Sequence, residues 1–215
     1  MRKGFTLAEV LITLGIIGVV SAITMPLLIK SYQKQVTINR LKKTYTTLSQ
    51  AMLYAQNDYG DLGNWDYNLT CEAYMNKYIS PYIKKITSSS NAYYLPDGTS
   101  LKCLRYSIAG SVYELQIDIN GNNLPNIFGK DKFSFYIFNE AKNVYNNGRG
   151  DIAWNVKKAG LYPDGYGRNR NTLKNDTWRG CNSRKSGAGK NMDAGAYCTA
   201  LILYDGWKIS NDYDW

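Results

Sequence analysis

A chain of 215 residues has room for one modest globular domain and a long helical extension. Its 26 Lys and Arg outnumber 17 Asp and Glu, for a formal charge of +9. It contains no His, which argues against hydrolase triads and most zinc sites. Four Cys with no C-x-x-C pair, in a chain rich in Asn, Tyr and Gly after its first segment, suit a small loop-rich domain outside the cytoplasm, where disulfides persist.

The first thirty residues organise the rest. Arg2 and Lys3 precede Gly4, then comes Phe5-Thr6-Leu7-Ala8-Glu9, then an uncharged run from Val10 to Ile29. Only Thr13, Ser21 and Thr24 interrupt that run with polar side chains, and as a helix it is about 30 Å long, enough to cross a bilayer's hydrocarbon. Glu9 is the one charge inside the apolar segment, and a carboxylate there marks a functional site by default. Thr6 and Glu9 also have capping-box spacing, a bland role worth about 1 kcal/mol. A secretory signal peptide has a shorter core and a small-x-small cleavage site, for which Ser21-Ala22-Ile23 is a poor match. A plain membrane anchor explains the length but neither Gly4-Phe5 nor Glu9.

Arg2-Lys3-Gly4-Phe5-Thr6-Leu7-Ala8-Glu9-Val10-Leu11-Ile12 closely resembles the class III signal peptide of type IV prepilins and of type II secretion pseudopilins. The resemblance implies cleavage after Gly4 and N-methylation of Phe5 by a prepilin peptidase/methyltransferase. Loss of Arg2 and Lys3 leaves +7 from side chains (9 minus 2). It further implies a single-pass protein in inner-membrane lipid with its domain outside the cytoplasm. An assembly platform then passes the subunit into a periplasmic or extracellular filament of homologous subunits. In the family's mechanism, Glu9 of an incoming subunit pairs with the Phe5 amine of its neighbour. The chain is expected to be a structural subunit rather than an enzyme, serving a type IV pilus or a secretion pseudopilus, as a major or minor component.

Past Ile29 the helix is expected to continue to about Asn57. Ile38, Leu41, Tyr45, Leu48, Met52, Ala55 and Tyr59 recur at steps of three and four, with Lys30, Lys34, Arg40, Lys42 and Lys43 mostly elsewhere. Gly15, Gly18 and Pro26 are expected to weaken or kink its first half. Asp58 to Gly63 reads as its end. The domain plan is therefore a leader at 1–4, a transmembrane and filament-core helix at 5–29, an amphipathic helix at 30–57 and a globular domain at 58–215.

Cys71 opens a short helical stretch with Met75, Tyr78, Ile79, Tyr82, Ile83 and Ile86 on one side, split at Ser80-Pro81. Ser88 to Asn91 reads as a loop. Strands are expected at 93–95, 101–106, 111–119 and 133–138, with Pro96-Asp97-Gly98 as a turn. In the third strand Tyr113, Leu115, Ile117 and Ile119 alternate with Val112, Glu114, Gln116 and Asp118, so one face is expected in the core. Short connections imply an antiparallel sheet, and the fold class is α+β: a long N-terminal helix packed on a small antiparallel sheet.

Asp118-Ile119-Asn120-Gly121, followed by Pro125-Asn126, Gly129 and Asp131, resembles a loop recurrent in prepilin-like domains. Asn120-Gly121 is a turn dipeptide, which favours a self-capped turn. Asp118, Asn120, Asn126 and Asp131 also offer the oxygens calcium prefers, and related pseudopilins bind calcium in a loop, although the pattern is no EF-hand. Calcium at those residues stays open as the one cofactor.

Regular signals fade from Val156 to Gly195, where Lys157, Lys158, Arg168, Arg170, Lys174, Arg179, Arg184, Lys185 and Lys190 face few acids. With Tyr162, Tyr166 and Trp178 interleaved, the stretch 157–190 reads as a solvated basic loop, or alternatively as the DNA- or surface-binding face of a minor pilin. Ser186 to Asn191 fails the phosphate-loop pattern at Arg184 and Asn191. Arg149-Gly150-Asp151 reads as chance. Cys198 to Tyr204 is an apolar run, helix or strand undecided, and the ending Asp212-Tyr213-Asp214-Trp215 looks like that of one group of prepilin-type proteins. Four Cys allow three pairings. Cys71–Cys103 with Cys181–Cys198 is favoured, the second closing a loop where pilins carry a C-terminal disulfide loop.

Overall fold

A run of Leu, Ile, Val and Ala with a capping pair at its start folds as helix α1, Leu7–Tyr59. The assignment continues through Gly15, Gly18 and Pro26. The computed structural model describes residues 4–89, 92–106, 112–121, 123–145, 152–182, 193–212 and 215. It comprises two compact units, Met1–Val36 and Thr37–Trp215. In the first unit, Leu11, Ile12, Leu14, Ile16, Ile17, Val19, Val20 and Ile23 are all more than half exposed. The two threonine hydroxyls in the apolar run are satisfied locally, with Thr13 donating to Glu9 O and Thr24 to Val20 O, both at 2.9 Å. A bilayer-spanning helix needs that internal satisfaction.

The second unit is built on the other half of α1. Thr37, Ile38, Leu41, Thr44, Leu48, Ala51, Met52 and Ala55 are buried, with Tyr45 packed beside them. Tyr59 departs from the expected stripe: it is 44% exposed and meets Tyr78 edge-on at 5.1 Å. Gly60 ends the helix at φ +78°, its N–H on Gln56 O, a left-handed cap that costs glycine little. Trp65, Tyr67, Tyr74, Tyr78 and Tyr113 then form an aromatic cluster, with Trp65 stacked on Tyr78 at 4.4 Å and Tyr74 on Tyr113 at 3.9 Å. Two of the polar tips find backbone acceptors: Trp65 Nε1 donates to Gly60 O and the Tyr113 hydroxyl to Leu69 O.

Helix α2, Cys71–Tyr74, starts on a Thr70 cap and runs into a π turn at Met75–Ile79 and a 3-10 turn at Ser80–Tyr82. Ile86 was expected on this helical face and lies elsewhere. It is 71% exposed, and its N–H bonds Tyr94 O at the start of the sheet. Strands β1 (Thr87–Ser89), β2 (Ala92–Tyr94), β3 (Ser100–Tyr106), β4 (Val112–Asp118) and β5 (Lys132–Phe138) follow. After the hairpin of β6 (Lys142–Tyr145) and β7 (Ile152–Val156) comes β8 (Gly160–Pro163). The sheet order is β1-β2-β3-β4-β5-β8, antiparallel throughout. The fold is thus α+β and pilin-like, a long N-terminal helix with a small antiparallel sheet. Sequence periodicity did not reveal β1, β6, β7 or β8.

Tyr113, Leu115, Ile117, Phe133, Phe135 and Ile137 line the face that shares the main core with α1. The opposite face is not solvent, contrary to the alternation reading. Glu114 is 2% exposed and accepts from the Ser134 hydroxyl and Gln116 Nε2, while Tyr136, Phe138 and Val156 form a second small cluster with Tyr162 beside it. Val156 of β7 packs on this face, whereas α3 (Arg170–Asn175) and α4 (Cys198–Tyr204), which resolves the undecided run as a helix, contribute Leu173, Ala200, Leu201 and Ile202 to the main core. Cys71 is bonded to Cys103, joining α2 to β3, with Cα atoms 5.7 Å apart. Cys181 is bonded to Cys198 at the head of α4, with Cα atoms 4.9 Å apart.

Candidate functional site

Gly4, Phe5 and Thr6 lie outside the helix, and the chain turns helical at Leu7. Nothing lies within 4 Å of where a Gly4 side chain would start, and Phe5 is 88% exposed, so the Gly4–Phe5 peptide is an open, non-helical bond. The first turn closes as a capping box. Glu9 Oε2 accepts from the Thr6 N–H and the Thr6 hydroxyl, both at 2.8 Å, and the Glu9 N–H donates to Thr6 Oγ1 at 3.3 Å. Both bonds to the carboxylate among the described residues fall on Oε2, so Oε1 remains available to a donor from outside the chain. An open peptide bond, an exposed aromatic residue after it and a half-used carboxylate one turn away are thus set at the head of an apolar helix.

The loop from Asp118 to Asp131 is a second candidate. Asp131 Oδ2 accepts from Asn126 N at 2.8 Å and Oδ1 from Ile127 N at 2.6 Å, so its carboxylate caps the turn. Asp118 Oδ1 accepts from Asn120 N at 3.2 Å, and Asn120 Nδ2 donates to Asp131 Oδ2 at 3.3 Å. Burial pushes the Asp118 carboxyl up to about 6, with Asp131 adding repulsion. The loop brings Asp118, Asn120 and Asp131 together, but Asn126 enters through its backbone N–H. Each carboxylate is engaged by donors of the loop itself, a poorer fit to calcium than to a self-capped turn. Among the described residues no cluster of three His, Cys, Asp or Glu is placed to hold a metal.

Four described cations of the basic stretch are committed inside the domain, while Lys157 and Lys158 are exposed. Arg170 binds Asp205 through Nε and Nη2 at 2.7 Å and reaches Asp212 at 2.8 Å, with Lys174 on the same Asp212 at 3.0 Å. Those hydrogen bonds from Arg170 hold both Asp205 and Asp212 below the usual carboxylate range. Arg179 pairs with the buried Asp164, and the guanidinium groups of Arg168 and Arg179 lie over the Tyr197 ring at 4.9 and 5.7 Å. Burial raises Asp164 against the pull of Arg179. Tyr162 packs with Tyr136 and Phe138 and meets Tyr166 at 4.5 Å. Periodicity could not expose this arrangement, because each partner of these cations lies many residues away. Arg184, Lys185, Lys190, the Ser186 to Asn191 segment, Arg149 to Asp151, Ser90, Asn91, Ser111, Tyr213 and Asp214 lie outside the described residues.

Comparison with known proteins divides the chain where its chemistry does. A model of the prokaryotic N-terminal methylation motif matches residues 1–25, which include Gly4, Phe5, Thr6 and Glu9. A model described as a family of unknown function (DUF6613) matches residues 27–215. No curated protein and no solved structure matches.

Proposed function

Because the chain belongs to the family of unknown function DUF6613 and is type IV prepilin- or pseudopilin-like by its N-terminal methylation motif, we propose that it is a structural subunit of a type IV pilus or type II secretion filament. The observation that carries the reading is the conjunction at the N-terminus: an open Gly4–Phe5 bond, a capped Glu9 with one oxygen to spare, and an outward-facing apolar helix. The apolar helix anchors the chain in a membrane. A membrane peptidase cuts after Gly4, and the new Phe5 amine is methylated. An assembly platform in the inner membrane then moves the helix from lipid into a bundle of homologous helices, leaving the domain in a periplasmic or extracellular filament. In that bundle Glu9 Oε1 receives the Phe5 ammonium of a neighbour while Oε2 keeps capping its own helix. The pairing neutralises two charges in an apolar core and sets the axial register between subunits.

Mass spectrometry of the mature protein tests the processing. The expected N-terminus is methylated Phe5, and Gly4→Val, which puts a branched side chain at the scissile peptide, stays uncut and unassembled. Normal processing of Gly4→Val overturns the reading.

A DNA-binding minor subunit finds less support, since Arg170, Lys174 and Arg179 are engaged by carboxylates of the domain. A salt-dependent gel shift with the purified protein distinguishes that alternative.

A further inference from the structure

A cleft beside the last strand of the sheet gathers polar groups that the fold itself leaves unengaged. Its volume is about 680 Å³, the size of a small-molecule site (roughly 300–1,000 Å³), and all its lining belongs to the unit Thr37–Trp215. Tyr45 of α1 and Tyr204 of α4 line it, and β8 with the turn after it supplies Tyr162, Tyr166 and Arg168. The Tyr166 N–H donates to Pro163 O at 3.0 Å and the Arg168 N–H to Gly165 O at 3.2 Å, which fixes that turn. Gly167, at φ +88°, comes so close to Asn155 that a Cβ would strike it, so the turn is seated against β7. Backbone contacts of the chain itself thus set this wall of the cleft.

Three features of the lining define what it can hold. It carries two cations, Lys157 and Arg168, and no carboxylate. The acids next in sequence to lining residues, Asp164 and Asp205, are answered by Arg179 and Arg170, so the cleft favours an anion. Among the described residues, the hydroxyls of Tyr45, Tyr166 and Tyr204, the Asn155 amide and the Lys157 ammonium have no hydrogen-bond or ion-pair partner in the chain. Hydroxyls and amides both donate and accept, as sugar hydroxyls do. The tyrosine rings add apolar faces, with the centroids of Tyr162 and Tyr166 4.5 Å apart and Tyr204 61% exposed. A purely apolar ligand would strip water from those polar groups without replacing it, and a nucleic acid would need a row of cations for its phosphates. The neighbouring Arg170, Lys174 and Arg179 are already held by carboxylates. A pyranose with one carboxylate matches all three features, with a C–H face for a tyrosine ring, hydroxyls at its edge and a single negative charge.

We propose that this cleft binds an acidic saccharide, a uronate-type pyranose unit, free or within a surface polysaccharide. Lys157 receives the carboxylate, with the charge of Arg168 in the same lining. Asn155 and the hydroxyl of Tyr45 take ring hydroxyls, and the rings of Tyr166 and Tyr204 take the apolar face. This binding activity goes beyond the filament reading and stands or falls independently of it.

The test titrates the full chain calorimetrically, purified in a detergent without a sugar headgroup. The probes are trigalacturonate, its uncharged methyl ester, galacturonate and a single-stranded oligothymidylate. Trigalacturonate is expected to bind about tenfold more tightly than the ester, as one charge-assisted contact gives. Lys157→Gln should remove that difference, and Tyr166→Ala should weaken acid and ester alike, several-fold. Both side chains reach solvent, so both variants should keep the two disulfides in a non-reducing peptide map and melt like wild type. Tighter binding of trigalacturonate than of galacturonate assigns a polysaccharide, and equal binding a free sugar. No binding up to about 10 mM, equal affinity for acid and ester, or affinities unchanged in both variants overturns the proposal. Tighter binding of the oligothymidylate, falling steeply with salt and lost in Lys157→Gln, overturns it in favour of a nucleic acid.

Discussion

Glu9 carries two roles on two oxygens, and the right substitution separates them. Glutamine keeps the acceptor of the capping box but not the charge, whereas leucine loses both. If pairing with a neighbour's Phe5 amine drives docking, Glu9→Gln and Glu9→Leu are both translocated, cleaved and stable, and both are incorporated poorly. An unpaired ammonium in an apolar bundle costs about 3–5 kcal/mol, far more than the cap's contribution of about 1 kcal/mol. Immunoblots of sheared filaments against membrane fractions decide it: Glu9→Gln assembling like wild type, with Glu9→Leu failing, would reduce Glu9 to a cap. At the same scale, Gly129 sits at φ +81° with no room for a side chain before Cys198. Gly129→Ala is expected to cost about 2 kcal/mol or more, combining backbone strain with displacement of the disulfide. A thermal midpoint unchanged from wild type would show that the loop is not seated there.

Among elements, the end of the chain is tied down by charge rather than by a strand. Arg170 on α3 binds Asp205, just past α4, and Asp212 further on, with Ser210 also donating to Asp205. Both carboxyls are depressed in the folded chain, chiefly by hydrogen bonds from Arg170. A depressed carboxylate stabilises the fold above its unfolded pKa, and that contribution fades as pH falls through the folded value. The contribution of Asp205 and Asp212 is therefore expected to be level above about pH 4 and to drop below it. Arg170→Met should lose about 1–2 kcal/mol near neutrality, because Asp212 is solvent-exposed and screened while Asp205 is nearly buried. It should also show a shallower acid decline. Denaturant melts across the acid range check both, and a variant with an unchanged acid slope refutes the coupling.

At the scale of the whole molecule, the unit Thr37–Trp215 contains the main core, the sheet and both disulfides. Exported without residues 1–36, it is expected to remain soluble and folded with Cys71–Cys103 and Cys181–Cys198 intact, whereas the outward apolar side chains of the removed segment need lipid or other helices. Since the Asp118 to Asp131 loop satisfies its carboxylates internally, EDTA or millimolar calcium should shift the melting of this unit by less than about 1 °C. A rise of several degrees with calcium would overturn the self-capped reading and point to Asp118, Asn120 and Asp131 as ligands.

The sequence by itself determined what depends on short-range pattern. The apolar run, the Thr6–Glu9 cap, the stripe from Ile38 to Ala55 and the core face of β4 are each set within a few residues, and each reappears in the fold. The methylation motif is legible for the same reason, since a peptidase reads consecutive residues. Tertiary structure alone decided the second face of the sheet. Glu114 looks like a solvent position by alternation, yet it is buried, accepting from the Ser134 hydroxyl of the neighbouring strand, with Asp164 of a distant segment near enough to feel its charge. The arginines from Arg168 to Arg179 look like a basic surface until distant Asp164, Asp205 and Asp212 and the ring of Tyr197 come to meet them. Periodicity reports which way a residue points along its own element; what it meets there depends on elements the local pattern does not contain.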